Sequence, residues 1–384
     1  MPASLQDVLA GSLCSVLSLA YCLSYAALIF SGPLAHWLSY GIAATFLSAA
    51  IAATVIALRS SFPFAIAGPD TSTSAVIATL VAAMAARLTA EHNPNLLLPV
   101  LIVTALATAA TGILLCVLGF SKAGRAVRYV PYPVIAGFLG ATGWLMILGA
   151  TELITDHRIT LTNIDVLMDR VILAKLAAGL AVALTLQALL SRWHNALVLP
   201  GILIAAVLAL HVGLAIAGWS LADAQAADWV FQLPATAALA SPWQLTDLHG
   251  FPWETLPWVA GDVLAVMFVT TMSLLLNATG VEIATRRVAD INRELQALGI
   301  ASVLSAALGG YVSCLSLSRT TLAHVTGATG RLTVSRWRLC RRPCSLSIPV
   351  SLSMCPNMRS ADFCSSPAAP WSIDGWSIPS AGYN

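Results

Sequence analysis

The chain consists largely of apolar runs that are each long enough to cross a bilayer as a helix. A membrane helix needs about 17–25 predominantly apolar residues, because each residue advances the axis by only about 1.5 Å. The runs are rich in Ala and Leu and lack the period-two alternation of barrel strands, which favours helices. Ten spans can be placed, at 7–30, 38–58, 70–90, 96–119, 132–150, 171–190, 197–219, 257–281, 295–310 and 318–332.

The composition supports the same class of protein. Hydrophobic residues make up 58% of the chain and charged residues only 9%, against roughly 25% charged residues in a soluble protein. We therefore predict an all-α polytopic membrane protein. The net charge of +2 says little by itself, because the distribution of Lys and Arg matters more than their total in membrane proteins, and no nucleic-acid partner is implied.

The distribution of basic residues predicts an orientation, because cytoplasmic loops are enriched in Lys and Arg. The loop at about 220–256 has acidic residues and no Lys or Arg, which fits the outer face. The sequence thus predicts a multi-pass protein of a bacterial-type inner (plasma) membrane with a cytoplasmic N-terminus. The basic residues placed inside by this orientation are Arg59, Lys122, Arg125, Arg128, Arg192, Arg286, Arg287 and Arg293.

Two short polar stretches interrupt the apolar sequence, at 68–74 and 316–321. Each follows an extended-looking segment and precedes an apolar helix. Non-helical backbone at membrane depth survives where it lines a cavity, and a helix that begins there directs free N–H groups into that cavity. Paired broken helices in two halves of a chain indicate a transporter's substrate site. We predict that the two stretches form the two halves of one anion site.

Three charged residues near these stretches bear on the chemistry. A guanidinium inside a membrane segment costs several kcal/mol and is normally paired or placed in a wet cavity, so Arg319 indicates an anion. Asp70 is interpreted either as a helix N-cap or as a group that takes up a proton with the substrate. Glu282 is interpreted either as a buried proton or cation site, or as a carboxylate at headgroup level paired with Arg286.

No pattern for catalysis or for a metal is found. The sequence has no HExxH or Walker motif and no nucleophile elbow, and its cysteines lack metal-type spacing. We therefore expect no enzyme activity, no cofactor and no metal site. The segment Asp290–Leu295 is interpreted as a loop that caps the ninth helix.

With these residues in view, the chain resembles the SulP family of inorganic anion transporters, which contains sulfate permeases and prestin. The resemblance covers about residues 5 to 333. It is most specific at 290–299, followed by Gly309-Gly310 and by the Ser-x-Ser-Arg-Thr motif at 316–320. The segment 130–134 with Gly137-Phe138 is similar to the start of the family's fifth helix.

The resemblance implies an inverted repeat of seven plus seven helices, with the anion held between the N-termini of the third and tenth helices. It implies secondary-active transport of an inorganic anion such as sulfate, with Glu282 at the place of the family's acidic residue on the eighth helix. The partners would be the anion, a coupled proton or cation and membrane lipid, and a homodimer is allowed. The substrate-binding residues carried over are Thr71, Ser72, Thr73, Ser318, Arg319 and Thr320.

Two departures keep other substrates open. The family's first-helix Pro-Gln pair is not present around Ala20 and Tyr21, and Asp70 places a negative charge where an anion should arrive. The alternatives are bicarbonate, another oxyanion or a nucleobase, although Arg319 argues against a neutral nucleobase. A non-transporting membrane scaffold is a further alternative, but it leaves the paired broken helices unexplained.

The last 51 residues differ from the rest. Residues 1–333 read as a partial transport domain of about ten helices, whereas 334–384 combine arginines, cysteines, prolines and tryptophans without helical periodicity. This favours a change of reading frame near residue 333 over a disordered tail. Neither the family's four further helices nor its STAS domain is recognisable in the sequence, so the chain is predicted to be truncated and impaired in transport.

Overall fold

The fold was analysed in a computed structural model. It describes residues 3–90, 96–124, 132–155, 170–192, 198–218, 220 and 256–328. Almost all of the predicted loop at 220–256 lies outside this part of the chain, and so does the whole of 334–384, where the frame change is predicted. Both stay predictions.

A helix occupies each of the ten predicted spans, which confirms the all-α polytopic class. Six of the described helices are long and apolar enough to cross a membrane. A short 3-10 helix, Gly32–Trp37, precedes the second α-helix. The α-helices are α1 Ala3–Ile29, α2 Leu38–Arg59, α3 Thr71–Ala90, α4 Leu97–Phe120, α5 Tyr132–Thr155, α6 Arg170–Arg192, α7 Val198–Ala217, α8 Leu256–Thr285, α9 Ile291–Ala307 and α10 Leu317–Val325.

Several helix boundaries differ from prediction, and the differences at α8, α9 and α10 bear on the predicted site. Helix α8 ends four residues later than predicted, so that Glu282 lies within it. Helix α9 begins at Ile291 because Asp290 caps it, its Oδ1 accepting a hydrogen bond from the Arg293 N–H at 3.3 Å, which confirms the predicted capping arrangement. Helix α10 ends at Val325 and has only nine residues.

Two very short strands lie between the helices. β1, Ala67–Gly68, pairs antiparallel with β2, Cys314–Leu315. Ala67 faces Leu315, and Gly68 faces Cys314. The two extended segments that the sequence predicted therefore pair with each other, immediately before α3 and α10.

Helix α9 packs against α4 and α2, and glycines set the closeness of the α4–α9 contact. A Cβ on Gly112 would lie 2.8 Å from the Val303 backbone nitrogen, and one on Gly299 would lie 2.7 Å from the Cys116 backbone nitrogen. Distances this short between a side chain and backbone cannot be accommodated without moving a helix. Glycine at these positions brings the two helix backbones into direct contact, as small residues do in membrane proteins.

Most of the helices pack into one group. Helix α3 packs against α8, α1 and α5, while α10 packs against α8 and α1. Helices α6 and α7 contact each other, and α6 also contacts α5. The group therefore contains α1–α5 and α8–α10 with both strands, and α6 and α7 are joined to it mainly through α5.

We expect Gly299→Ala to lower the free energy of unfolding by about 1–3 kcal/mol, because the added methyl group meets backbone rather than a flexible side chain. Thermal unfolding of the purified protein in detergent measures this. Gly140→Ala is the matched control, since nothing lies within 4 Å of a Cβ at this helical glycine. Equal losses of thermal stability in the two variants would contradict the proposed close packing of α4 and α9.

Candidate functional site

The N-termini of α3 and α10 meet at the paired strands β1 and β2. We call this place the crossing. The Ser316 N–H donates to the Ile66 carbonyl at 3.0 Å. The buried Thr320 hydroxyl accepts from the Ile66 N–H at 3.1 Å and lies 3.3 Å from the Ile66 carbonyl oxygen, to which it can donate. These bonds fix the start of α10 against the segment that leads into α3. Both helices thus present the positive ends of their dipoles from one backbone junction.

Arg319 joins the two helix starts through its side chain. Although it carries a guanidinium, it is only 2% exposed. Its Nη2 donates to the Pro69 carbonyl at 2.9 Å, and its Nη1 donates to Ser18 Oγ at 3.3 Å. The guanidinium carbon also lies 5.5 Å from the centre of the Tyr21 ring, within the range of a cation–π interaction. The charge is therefore held by neutral groups from α1 and from the turn before α3.

The third guanidinium nitrogen, Nε, is buried and has no hydrogen-bond partner among the described residues. Leaving a buried donor unsatisfied costs about 1–3 kcal/mol, and more for a charged group. Gly68 gives the guanidinium its room, because a Cβ there would lie 3.3 Å from Nη1. A buried cation with an unused donor between two helix N-termini is suited to an anionic ligand.

Asp70 supplies the opposing charge. Its Oδ2 accepts a hydrogen bond from Ser273 Oγ at 2.8 Å. Its carboxylate also lies at the backbone N–H groups of Thr71 and Ser72 and interacts electrostatically with Arg319. Asp70 therefore covers the N-terminus of α3, as an N-cap residue does. An ionised Asp70 and a bound anion would compete for the same positive potential.

Helix α8 contributes two polar side chains that the sequence prediction did not include. Besides the Ser273 contact to Asp70, Asn277 Nδ2 donates to the Leu315 carbonyl at 2.8 Å. The two residues lie on one face of α8, four positions apart. The spacing of Ser273 and Asn277 was visible in the sequence. Helix α8 also has other polar residues, however, and the sequence alone did not show which of them face the site.

The predicted substrate-binding residues lie in the first turns of α3 and α10, directly after the paired strands β1 and β2. Thr71 and Ser72 are partly exposed in the first turn of α3, while Ser318 is exposed in the first turn of α10. Thr73 is buried and donates to the Asp70 carbonyl at 3.1 Å. Because the hydroxyls of Thr73 and Thr320 are used within the protein, these two residues position the site rather than offer a free donor.

Glu282 lies away from this junction. It follows Asn277 by five residues along α8, and its Oε1 accepts a hydrogen bond from the Ala289 N–H at 2.6 Å. The carboxylate thus holds the loop between α8 and α9, instead of pairing with Arg286 as one sequence interpretation proposed. A coupling role for Glu282 stays a prediction.

Comparison with known proteins identifies the family. The model of the sulfate permease family matches residues 5–334. The chain belongs to the sulfate permease family. A relative in Bacillus subtilis (strain 168), YbaR, is 23% identical over 226 residues, which cover 59% of this chain and 42% of YbaR. The chain thus spans less than half the length of that relative.

Solved structures share the family fold. The transmembrane domain of a cyanobacterial bicarbonate transporter, BicA, superimposes with a TM-score of 0.68 at 17% identity, covering 95% of this chain and 88% of that domain. The overall structure of SLC26A9 gives a TM-score of 0.68 at 16% identity, covering 94% of this chain and 56% of the other. Murine Slc26a9 in the inward-facing state gives 0.65 at 18% identity, with 94% and 59% covered. At these identities the likeness shows the fold alone.

We expect Thr320→Val to lower the free energy of unfolding by about 1–3 kcal/mol, because this nearly isosteric change leaves the buried Ile66 N–H without its side-chain partner. Thermal unfolding in detergent measures the loss. Thr321→Val is the matched control, since the buried Thr321 hydroxyl has no hydrogen-bond partner among the described residues. A control variant as destabilised as Thr320→Val would refute the bracing role of Thr320.

Proposed function

We propose that this chain carries the substrate site of a secondary-active transporter for an inorganic anion such as sulfate. The observation that supports the proposal most directly is the buried guanidinium of Arg319, which has an unused Nε donor and lies where α3 and α10 begin. The partly exposed Thr71 and Ser72 and the exposed Ser318 would complete the contacts to the anion. Membership of the sulfate permease family supports the same substrate class.

The charge balance favours an anion over a neutral substrate. Arg319 is anchored by a carbonyl, a hydroxyl and an aromatic ring, and none of these neutralises its charge. Asp70 is the nearby acid, but its carboxylate is engaged by Ser273 and by the start of α3. A neutral nucleobase would leave the buried cation with Asp70 as its only, partial compensation, which is costly in a low-dielectric site.

Bicarbonate is the second candidate substrate, supported by the fold shared with the BicA transmembrane domain. Both anions present several oxygens to a guanidinium and to helix N-termini, so the contacts alone do not separate them. The net charge of the anion distinguishes them, because a divalent sulfate is repelled more strongly than bicarbonate by an ionised Asp70. Competition of the two unlabelled anions against bound labelled sulfate would rank them.

Arg319→Ala should abolish measurable binding of labelled sulfate to the purified protein, because truncation of a charged hydrogen-bonding group in a buried site costs about 2–5 kcal/mol, or roughly 30-fold or more in affinity. Arg319→Lys should recover only part of the affinity, since a lysine lacks the forked donor geometry. Arg192→Ala is the control, an exposed arginine at the end of α6. Sulfate affinity unchanged in Arg319→Ala would reject Arg319 as a site residue.

Coupling to a proton is proposed at Asp70. Asp70→Asn removes the charge that competes with the anion, so sulfate affinity at neutral pH should rise by about tenfold, the order expected from one neighbouring charge. The dependence of that affinity on pH should become weaker. Glu282→Gln is the informative comparison, because Glu282 is the second coupling candidate and lies away from the crossing. If only Glu282→Gln removes the pH dependence, the coupling role passes from Asp70 to Glu282.

A further inference from the structure

A second polar site lies away from the crossing of β1 and β2. A cavity of about 410 Å³ opens where α2 and α4 end and α9 begins. The predicted orientation places it at the cytoplasmic surface. Its polar and charged lining residues are Arg59, Lys122, Arg293, Asp290, Asn292 and Gln296.

The cavity carries an excess of positive charge. Three cationic side chains face one carboxylate, and that carboxylate of Asp290 accepts a hydrogen bond from the Arg293 N–H as the cap of α9. The positive end of the α9 dipole is directed to the same place. The cavity is therefore electrostatically suited to an anionic group.

The walls of the cavity are held in place by hydrogen bonds between elements. Gln296 Nε2 donates to the Gly119 carbonyl at 3.0 Å, and the Gly124 N–H donates to Asn292 Oδ1 at 3.1 Å. Arg293 Nε donates to the Arg59 carbonyl. The ends of α2 and α4 are thus tied to the first turns of α9, and the guanidinium of Arg293 is held in place by the Arg59 carbonyl.

Lys122 supplies an independent observation. It has a φ of +58°, a left-handed conformation that favours glycine and that lysine rarely adopts. Such a position directly after a helix is usually occupied by glycine. The chain instead has a lysine whose side chain lines the cavity. Arg286, directly after α8, shares this backbone conformation but does not line the cavity, so the position of the Lys122 side chain sets it apart.

An apolar stripe on α4 leads to the same cavity. Ile113, Val117 and Phe120 are 58%, 57% and 65% exposed, and their spacing of four and three residues places them on one face of the helix. Phe120 also lines the cavity. A lipid molecule matches this arrangement, with its acyl chains along the stripe and its phosphate among the cationic groups. Basic pockets between membrane helices bind anionic headgroups in this way.

We propose that the cavity at the ends of α2 and α4 binds the phosphate of an anionic membrane lipid, with Lys122, Arg59 and Arg293 as its cationic contacts. This assignment is independent of the proposed anion transport. A soluble phosphate compound shares the headgroup chemistry, but it would use only the cavity and not the neighbouring apolar stripe on α4.

The test is the thermal stability of the purified full chain in neutral detergent, titrated with phosphatidylglycerol and, separately, with phosphatidylcholine of the same acyl chains. Phosphatidylglycerol should raise the unfolding temperature at lower concentration than phosphatidylcholine, and added salt should reduce the difference. Equal responses to the two lipids would overturn the proposal. That is also the result expected if a second copy of the chain, and not a lipid, covers this face. A full response to sn-glycerol 3-phosphate or inorganic phosphate alone would overturn the assignment to lipid.

Lys122→Gly separates ligand binding from folding, because it removes the cation while relieving the backbone strain. The half-saturating concentration of phosphatidylglycerol should rise about fivefold, the factor that corresponds to about 1 kcal/mol for one cation near a membrane surface. Lys122→Asn should behave alike, since Asn also tolerates this conformation.

Arg286→Gly is the matched control. Arg286 has a φ of +53°, carries the same charge and follows the end of α8, but it is not among the residues that line the cavity. Its substitution should leave the half-saturating concentration unchanged. An equal rise in Arg286→Gly and Lys122→Gly would show a general effect of surface charge and refute a site at the cavity.

Discussion

The structure depends on one backbone pairing inside the membrane. Hydrocarbon offers no hydrogen-bonding partner, so an unpaired N–H or carbonyl there costs several kcal/mol. β1 and β2 remove that cost for each other, and Thr320 satisfies Ile66, a residue 254 positions away in the chain. Because each interrupted segment needs the other, neither α3 nor α10 can begin at this place alone. The pairing that satisfies the backbone also brings the two positive helix ends together.

That junction would be unstable if its positive charges were left without compensation. Arg319 adds a full charge to two helix N-termini, and the Pro69 carbonyl, Ser18 and Tyr21 distribute rather than cancel it. Asp70 partly balances the site from within. The carboxylate of Asp70 therefore acts on the positive potential that Arg319 and the two helix N-termini create together.

The sequence was sufficient for those features that depend on local pattern. Apolar run length placed all ten helices, and the cost of an intramembrane guanidinium drew attention to Arg319, which is buried where α10 begins. Contacts between distant residues were missed, because the rotation of α8 about its axis is set by packing and not by its own periodicity. Ser273 and Asn277 therefore went unrecognised. Glu282 lies near the end of α8 as predicted, and its carboxylate accepts a hydrogen bond from the α8–α9 loop, while its coupling role stays a prediction.

Tertiary contacts also decided the role of Glu294. Read locally, it is an acidic residue in the first turn of α9, where it suits the helix dipole. In the structure it is fully buried, and its Oε1 accepts hydrogen bonds from the hydroxyls of Ser60 and Ser61 and from the Ser61 N–H, at 2.7–2.8 Å. It therefore fixes the end of α2 to α9, directly before the segment that becomes β1. The crossing is consequently part of the same packed group as α4 and α9.

Separating α3 from α10 would break the β1–β2 pairing and expose its backbone groups to hydrocarbon, at several kcal/mol for each group. The two helix starts are therefore held as one unit by the β1–β2 pair, and α6 and α7 are joined to this packed group mainly through α5.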